Sequence, residues 1–355
     1  GLASADDQAA EDLEEIIVEG RFLSVDELNS VKTPTPVVDV PQSLSILTAE
    51  QIERQAFQNF GDVMRYTPGL SISQGEGHRD AIIIRGMQTT ADFFIDGIRD
   101  DVQYFRPLYN AQQVEILRGS NALLFGRGGG GGVINRVQKK AIVGDQFSSL
   151  KFGFDSFGAG ITSIDSNFAA GENVGFRLNA YYQSLENHRD QYGGDSFAIN
   201  PTLTYELGAD TSATISYEYV DDKRMVDRGV PSQNVDGAPD IPLLGYNETF
   251  FGSPDENRAT LEAHIMRTRL EHDFSDTLSG NVTRNYADAK TYQNLYASEE
   301  VVVVNGVFDE VELDGYRDTT DRENLILQAN LVGEFATGSI GHTLLVGVEL
   351  GNQVT

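Results

Sequence analysis

Cysteine is absent from the 355 residues, which removes disulfides, thiolate metal sites and cysteine nucleophiles without fixing a cellular compartment. Histidine is scarce too: the five residues present form no metal-like cluster, and neither H-E-x-x-H nor a nucleophile elbow occurs. Basic side chains are outnumbered, 26 against 54 acidic, for a formal net charge of −28. That balance disfavours general attraction to nucleic acid and steers cations, or zwitterions with an exposed positive end. No run of 18 apolar residues is present, so no helical membrane anchor is expected; a membrane barrel stays open, because alternating strands escape a hydropathy window. The chain opens at Gly1 with no Met, basic n-region or apolar h-region, and so reads as processed or trimmed.

What is present falls into three zones. Hydrophobic residues make up 40% of the chain, enough for at least one core. Residues 1–40 are acidic, then punctuated by Pro34 and Pro36, the make-up of an extended tether. Within the tether lie Glu15, Ile16, Ile17, Val18, Glu19 and Gly20. Their β-branched triplet reads either as an ordinary first strand or as a peptide that adds itself to the edge of a partner's sheet. Residues 41–140 read as a compact mixed domain. Thr48 caps a helix carrying Ile52, Ala56, Phe60, Val63 and Met64 at near-helical spacing, stopped by Pro68 and Gly69. Short strands are predicted over 81–86, 93–99, 114–119 and 133–138.

From residue 141 to 355 the texture turns to period two. "VGFRLNAYYQ" sets Val174, Phe176, Leu178, Ala180 and Tyr182 against Gly175, Arg177, Asn179, Tyr181 and Gln183. About nine strands are expected. After the first hairpin every second connection is long, with extended loops near 221–256 and 288–320, as in an antiparallel meander with one plain rim and one elaborated rim. Polar-face residues such as Arg177, Glu206, Glu218, Gln328 and Glu334 suit either solvent around a soluble sandwich or a wide hydrated lumen. Tyr181, Tyr182, Tyr205, Tyr217 and Tyr219 are candidates for an interfacial aromatic belt.

Five glycines, Gly128, Gly129, Gly130, Gly131 and Gly132, interrupt "LLFGRGGGGGVINRVQKK". A phosphate cradle needs such glycines to open a helix, with Lys and Ser/Thr following or a spaced G-x-G-x-x-G. Here a strand-like run follows, so the glycines read as backbone that bends freely and lies close against another surface. Together with "DVPQSLSILTAEQIERQ", "VMRYTPGLS", "IIIRG", "DFFIDGIRDD" and "AQQVEILRGSNALLFGRGGGGGVINRVQKK", in that order and spacing, the chain resembles the TonB-dependent outer-membrane receptors, in particular their ferric-siderophore, catecholate-like branch.

That resemblance implies an α+β plug domain followed by part of a large antiparallel transmembrane β-barrel, about nine of an expected 22 strands, so the chain is expected to be the front portion of a longer receptor. It implies a monomeric, non-enzymatic importer set in outer-membrane lipid. Its partners would be TonB, reached through residues 15–20 as a TonB box, and a ferric siderophore that carries its own iron, with no metal held by side chains and no nucleic acid. Cobalamin, haem or another scarce nutrient is the alternative cargo, and a secreted β-rich adhesin the alternative of a different class. Outward plug loops are expected at 73–80 and 99–110, making His78, Arg79, Arg99, Gln103, Tyr104, Phe105 and Arg106 the candidate ligand contacts, since aromatic faces with guanidinium groups suit an anionic aromatic chelate. The competing reading has Tyr104 and Phe105 simply packing the loop and Arg106 as a solvated charge. Arg85 and Arg118 match the family's plug arginines that face acidic wall residues, whose place is in late strands beyond this sequence, and with the glycine run they are expected to seat the plug against the wall.

Overall fold

A computed structural model describes residues 28–119, 125, 131–233, 241–304 and 307–355. The tether segment 15–20 and Gly128, Gly129 and Gly130 lie outside the described residues. The first body is a mixed domain. Strand β1 (Ser43–Thr48) runs into helix α1 (Ala49–Arg54), which a capping box starts: Gln51 N donates to Thr48 Oγ1 (3.3 Å) and Thr48 N to Gln51 Oε1 (3.0 Å). The single helix expected through Met64 is instead two. Ala56 takes a left-handed conformation (φ 53°), and a second capping box on Asn59 and Asp62 starts α2 (Phe60–Arg65). The break turns both short helices so that Ile52, Phe60, Val63 and Met64 reach one core with Ile82, Ile84, Phe93, Val114, Ile116 and Ile134.

Around that core lie β2 (Leu70–Ile72), β3 (Ile82–Ile84) and β4 (Met87–Thr89), which form a three-stranded sheet. Next come β5 (Phe93–Ile95), β6 (Ile98–Arg99), β7 (Ala111–Arg118) and β8 (Gly132–Gln138), which join β1 in the order β1-β7-β8-β5-β6. The one strand expected over 93–99 is a tight hairpin, because Asp96 (φ 49°) and Gly97 (φ 78°) reverse the chain.

The second body is a nine-stranded antiparallel sheet. It consists of β9 (Phe147–Phe154), β10 (Gly160–Ala169), β11 (Val174–Leu185), β12 (Gly194–Glu206), β13 (Thr211–Arg224), β16 (Arg258–Ser275), β17 (Leu278–Val304), β18 (Val307–Thr337) and β19 (Ile340–Val354). The connection from β13 to β16 is long and carries a small ribbon, β14 (Ser232–Gln233) with β15 (Ile241–Pro242). The loop expected over 288–320 is not a loop. β17 and β18 pair through this region as one long hairpin, from Leu278↔Gly333 to Val304↔Val307.

This sheet is inside out. On β11, Arg177, Asn179 and Tyr181 are buried while Tyr182 is exposed; on β12 and β13, Asn200, Thr202 and Glu218 are buried while Leu203, Tyr205, Ile215 and Tyr217 are exposed. The same holds further on, with Arg267, Asn285, Gln328 and Asn330 inside and Met266, Leu270, Val282, Leu325, Leu327 and Leu331 outside. A soluble sandwich would bury the opposite face. An apolar outer band over a polar inner face is what lipid on one side and a hydrated, plug-filled lumen on the other require. Tyr181, expected in the outer aromatic belt, faces inward and packs on Tyr109 of the first domain at 4.8 Å between ring centroids.

Candidate functional site

Outward plug loops. Residues 73–80 and 99–110 come together at the rim that carries the long connections. Gln74 Nε2 donates to the Asp227 carbonyl (2.6 Å) and Arg228 Nε to that of Gly75 (3.3 Å). Gly77 (φ 79°) lies so close to the Asp227 backbone that any Cβ there would overlap it. Within this junction Arg79 donates to Gln103 and pairs with Glu76 (2.7 Å). Gln103 is exposed, and Phe105 is half-buried under the Arg224 guanidinium, 4.4 Å from ring centroid to carbon. A cleft of about 880 Å³ between the plug and strands β9–β13 is lined by Arg79, Phe105, Tyr109, Tyr181, Gln183 and Arg224.

Tyr104 and Arg106 are not free to meet a ligand at this rim. Arg106 is 1% exposed; its Nε donates to Asp100 Oδ2 (2.8 Å), its Nη1 to Asp80 Oδ2 (3.3 Å), and its Nη2 to the carbonyls of Asp100 (2.9 Å) and Val102 (2.6 Å). Its guanidinium also stacks over Phe93 at 4.0 Å and Tyr104 at 4.6 Å. The Tyr104 hydroxyl donates to Asp100 (3.1 Å). Both help to close the loop: Tyr104 packs as the competing reading has it, whereas Arg106 is a buried, paired charge and not a solvated one. Burial pushes the Asp80 carboxyl up to about 6 against the lowering pull of Arg106. Burial also raises the Tyr104 phenol, with the Asp100 charge adding to it. His78 is buried as well, and burial together with the Arg79 charge lowers its pKa. Arg99 turns back on the plug, donating to the Ala91 carbonyl (3.1 Å) and lying 5.2 Å over Phe94.

Plug against wall. A single wall carboxylate gathers the plug's underside: Glu218 of β13 accepts from Tyr109 Oη (3.1 Å), Asn110 Nδ2 (3.1 Å) and Gln138 Nε2 (2.6 Å), and faces Arg136 Nη2 at 3.5 Å. Burial opposes the charge of Arg136, but Glu218 outweighs it and the pKa of the guanidinium is raised. Further contacts flank this one. Arg267 of β16 pairs with Asp96, Lys139 with Asp165 (2.9 Å), and Asp101 takes hydrogen bonds from Asn324 (3.0 Å) and Gln353 (2.8 Å). Arg177 and Glu218 were legible as polar-face residues; Asp96, Asp101 and Arg267 carried no signal of spacing.

Arg85 and Arg118 do not meet the wall strands described. Arg118 spans β7 to β1, donating to Ser43 Oγ (3.1 Å) and to Ser45, and burial with the adjacent Arg85 charge lowers its pKa. Arg85 is exposed in a left-handed turn (φ 50°). The described glycines also lie against the plug itself, not the barrel wall. A Cβ on Gly131 would stand 3.0 Å from the Ile84 carbonyl oxygen, and one on Gly132 (φ 151°) would overlap that of Leu117. Among the described residues no three His, Asp or Glu converge to hold a metal.

A family model described as the TonB-dependent Receptor Plug Domain matches residues 36–133, the domain enclosed by the inside-out sheet. The chain is similar to the TonB-dependent outer-membrane receptors, through this domain and through the sheet that follows it. The probable TonB-dependent siderophore receptor PiuA of Acinetobacter baumannii is 29% identical, over 94% of this chain and 46% of its own length. The catecholate siderophore receptor Fiu of Escherichia coli K12 is 27% identical, over 91% of this chain and 45% of its own. The crystal structure of PiuA superposes with a TM-score of 0.85 at 27% identity, over 94% of this chain and 48% of that one. The chain thus spans about half the length of the curated relatives it matches. That likeness sets the chain in the outer membrane, and the relatives named are receptors and not enzymes.

Proposed function

We propose that this chain is the plug-bearing part of a receptor that captures a ferric siderophore at the elaborated rim and imports it when TonB engages residues 15–20. The observation that carries the reading is the cluster of Arg79, Gln103 and Phe105 beside Arg224, cationic and aromatic groups gathered at the mouth of a chain whose net charge is −28. Guanidinium groups and ring faces suit an anionic aromatic chelate that brings its own iron. Siderophore receptors are also what the names of PiuA and Fiu describe.

The test is equilibrium binding to the full-length receptor of a panel of labelled ferric siderophores, cobalamin and haem. Saturable binding of a ferric siderophore is expected, weakened by about 1–4 kcal/mol in the Arg79→Ala/Phe105→Ala double variant through loss of a charged hydrogen bond and an aromatic contact. Binding of cobalamin or haem alone, or a siderophore affinity untouched by the double change, would reject the reading.

A further inference from the structure

Glu115 sits in the middle of β7 with no exposed surface. Among the described residues its carboxylate meets no cation; four N–H donors hold it instead, two on each oxygen. Oε1 accepts from the backbone N–H of Asn29 (2.7 Å) and from Gln113 Nε2 (2.6 Å), and Oε2 from the backbone N–H of Ser30 (2.9 Å) and from Asn135 Nδ2 (3.0 Å). Two of the four donors therefore belong to the main chain that leads from the tether into the plug. The same asparagine, Asn135, also donates to Asn29 Oδ1 (3.3 Å), and Leu28 and Ser30 are buried beside it.

We infer that Glu115 is a release latch for the N-terminal segment, holding residues 29 and 30 against the plug until force on the tether strips them away. This rests on the reading of residues 15–20 as the point where TonB acts. The two backbone donors are adjacent, so peeling removes both together and leaves a buried carboxylate half satisfied, which makes opening a cooperative, two-state event. The latch is also wired to the wall. Asn135 Oδ1 accepts from the Gly97 N–H (2.9 Å), and the neighbouring Asp96 accepts from Gln138 N (2.9 Å) and pairs with Arg267 of β16. Opening at residues 29 and 30 frees Asn135 to follow Glu115, and so loosens the 96–97 turn that pins the plug to the barrel.

The absence of native cysteine allows a direct test in the full-length receptor without TonB. Ser30 is fully buried and its hydroxyl has no hydrogen-bond partner among the described residues, so Ser30→Cys installs a reporter without removing a latch donor. Two variants break the latch from opposite sides. Glu115→Gln turns one acceptor into an N–H that faces N–H donors, and Asn29→Pro removes a tether donor, and with it the Oδ1 that Asn135 reaches, while Glu115 and Asn135 themselves are kept. Maleimide should modify the Ser30→Cys reporter at least about tenfold faster in both backgrounds, the loss of one charge-assisted hydrogen bond or more. A Thr67→Cys reporter, buried at the end of α2, should stay protected. The latch is overturned if the Ser30→Cys reporter reacts at the parental rate in both backgrounds, or if the Thr67→Cys reporter becomes reactive in step with it in both, since no separable element would then exist. Failure of TonB to act at residues 15–20 would leave these rates unchanged and would show only in energised uptake.

Discussion

At the scale of single residues, Arg106 governs the outer plug loop. Its guanidinium is shared by Asp80 and Asp100, all three buried, and flanked by the rings of Phe93 and Tyr104. Removing one member of a buried ionic cluster costs more than the cluster contributes, because the remaining charges stay desolvated. Arg106→Ala is therefore expected to destabilise the plug by about 3–5 kcal/mol in denaturant unfolding, and Arg106→Lys to recover only part of it, since an ammonium cannot offer a planar fork. A variant that unfolds at the wild-type midpoint would return Arg106 to the list of ligand contacts. The sequence placed Arg106 in the correct loop but gave it the wrong task. Aromatic neighbours plus a guanidinium look alike whether they face a ligand or close a loop, and the partner that decides, Asp80, lies 26 residues away.

At the scale of elements, the join between β7 and β8 depends on backbone without side chains. Gly132 combines φ 151° with a Leu117 carbonyl where its Cβ would be. Gly132→Val is expected to cost about 1–3 kcal/mol for overpacking and a similar amount for the backbone, read as a lower plug melting temperature. An unchanged melting temperature would mean that β8 shifts freely along β7. The sequence showed that these glycines serve close packing and not phosphate; it did not show which surface they meet, because register is a tertiary property. Strand signals behaved in the same way. β11 and β12 were legible because lipid on one face and the lumen on the other force alternation. The outer part of the β17/β18 hairpin was not, since acidic residues such as Glu299, Asp309, Glu310, Glu312 and Asp314 crowd it like a solvated loop and obscure the short alternation with Val311 and Leu313. Main-chain pairing runs through them, with register shifts at Ser298/Glu300 and Val302/Val303. At ~3.4 Å per residue the 27 residues of β17 reach about 90 Å, far beyond an apolar band about 25 Å tall.

At the scale of the whole molecule, plug and wall meet through charge and hydrogen bonds centred on Glu218 and through apolar packing of Val102, Tyr104 and Tyr109 on the wall. Glu218→Gln leaves the fully buried Arg136 without a counter-charge, a loss of about 3–5 kcal/mol at the seat of the plug. In a full-length receptor the expected result is raised ion conductance across a planar bilayer with the barrel still folded. Conductance and thermal stability equal to the parent would show that the remaining contacts suffice. Because the sheet turns its polar face inward, the surface between plug and barrel is one for which water competes on nearly equal terms. Drawing the plug away would hydrate amides, carboxylates and guanidinium groups together with an apolar seam between Val102, Tyr104 and Tyr109 of the plug and Tyr181, Val220 and Leu261 of the wall. Polar hydration lowers heat capacity where apolar hydration raises it, so the two oppose each other here and plug displacement should carry a smaller heat-capacity change, for the area exposed, than unfolding of the plug's own apolar core. Its free energy would then vary less between a cold and a warm environment than that unfolding does.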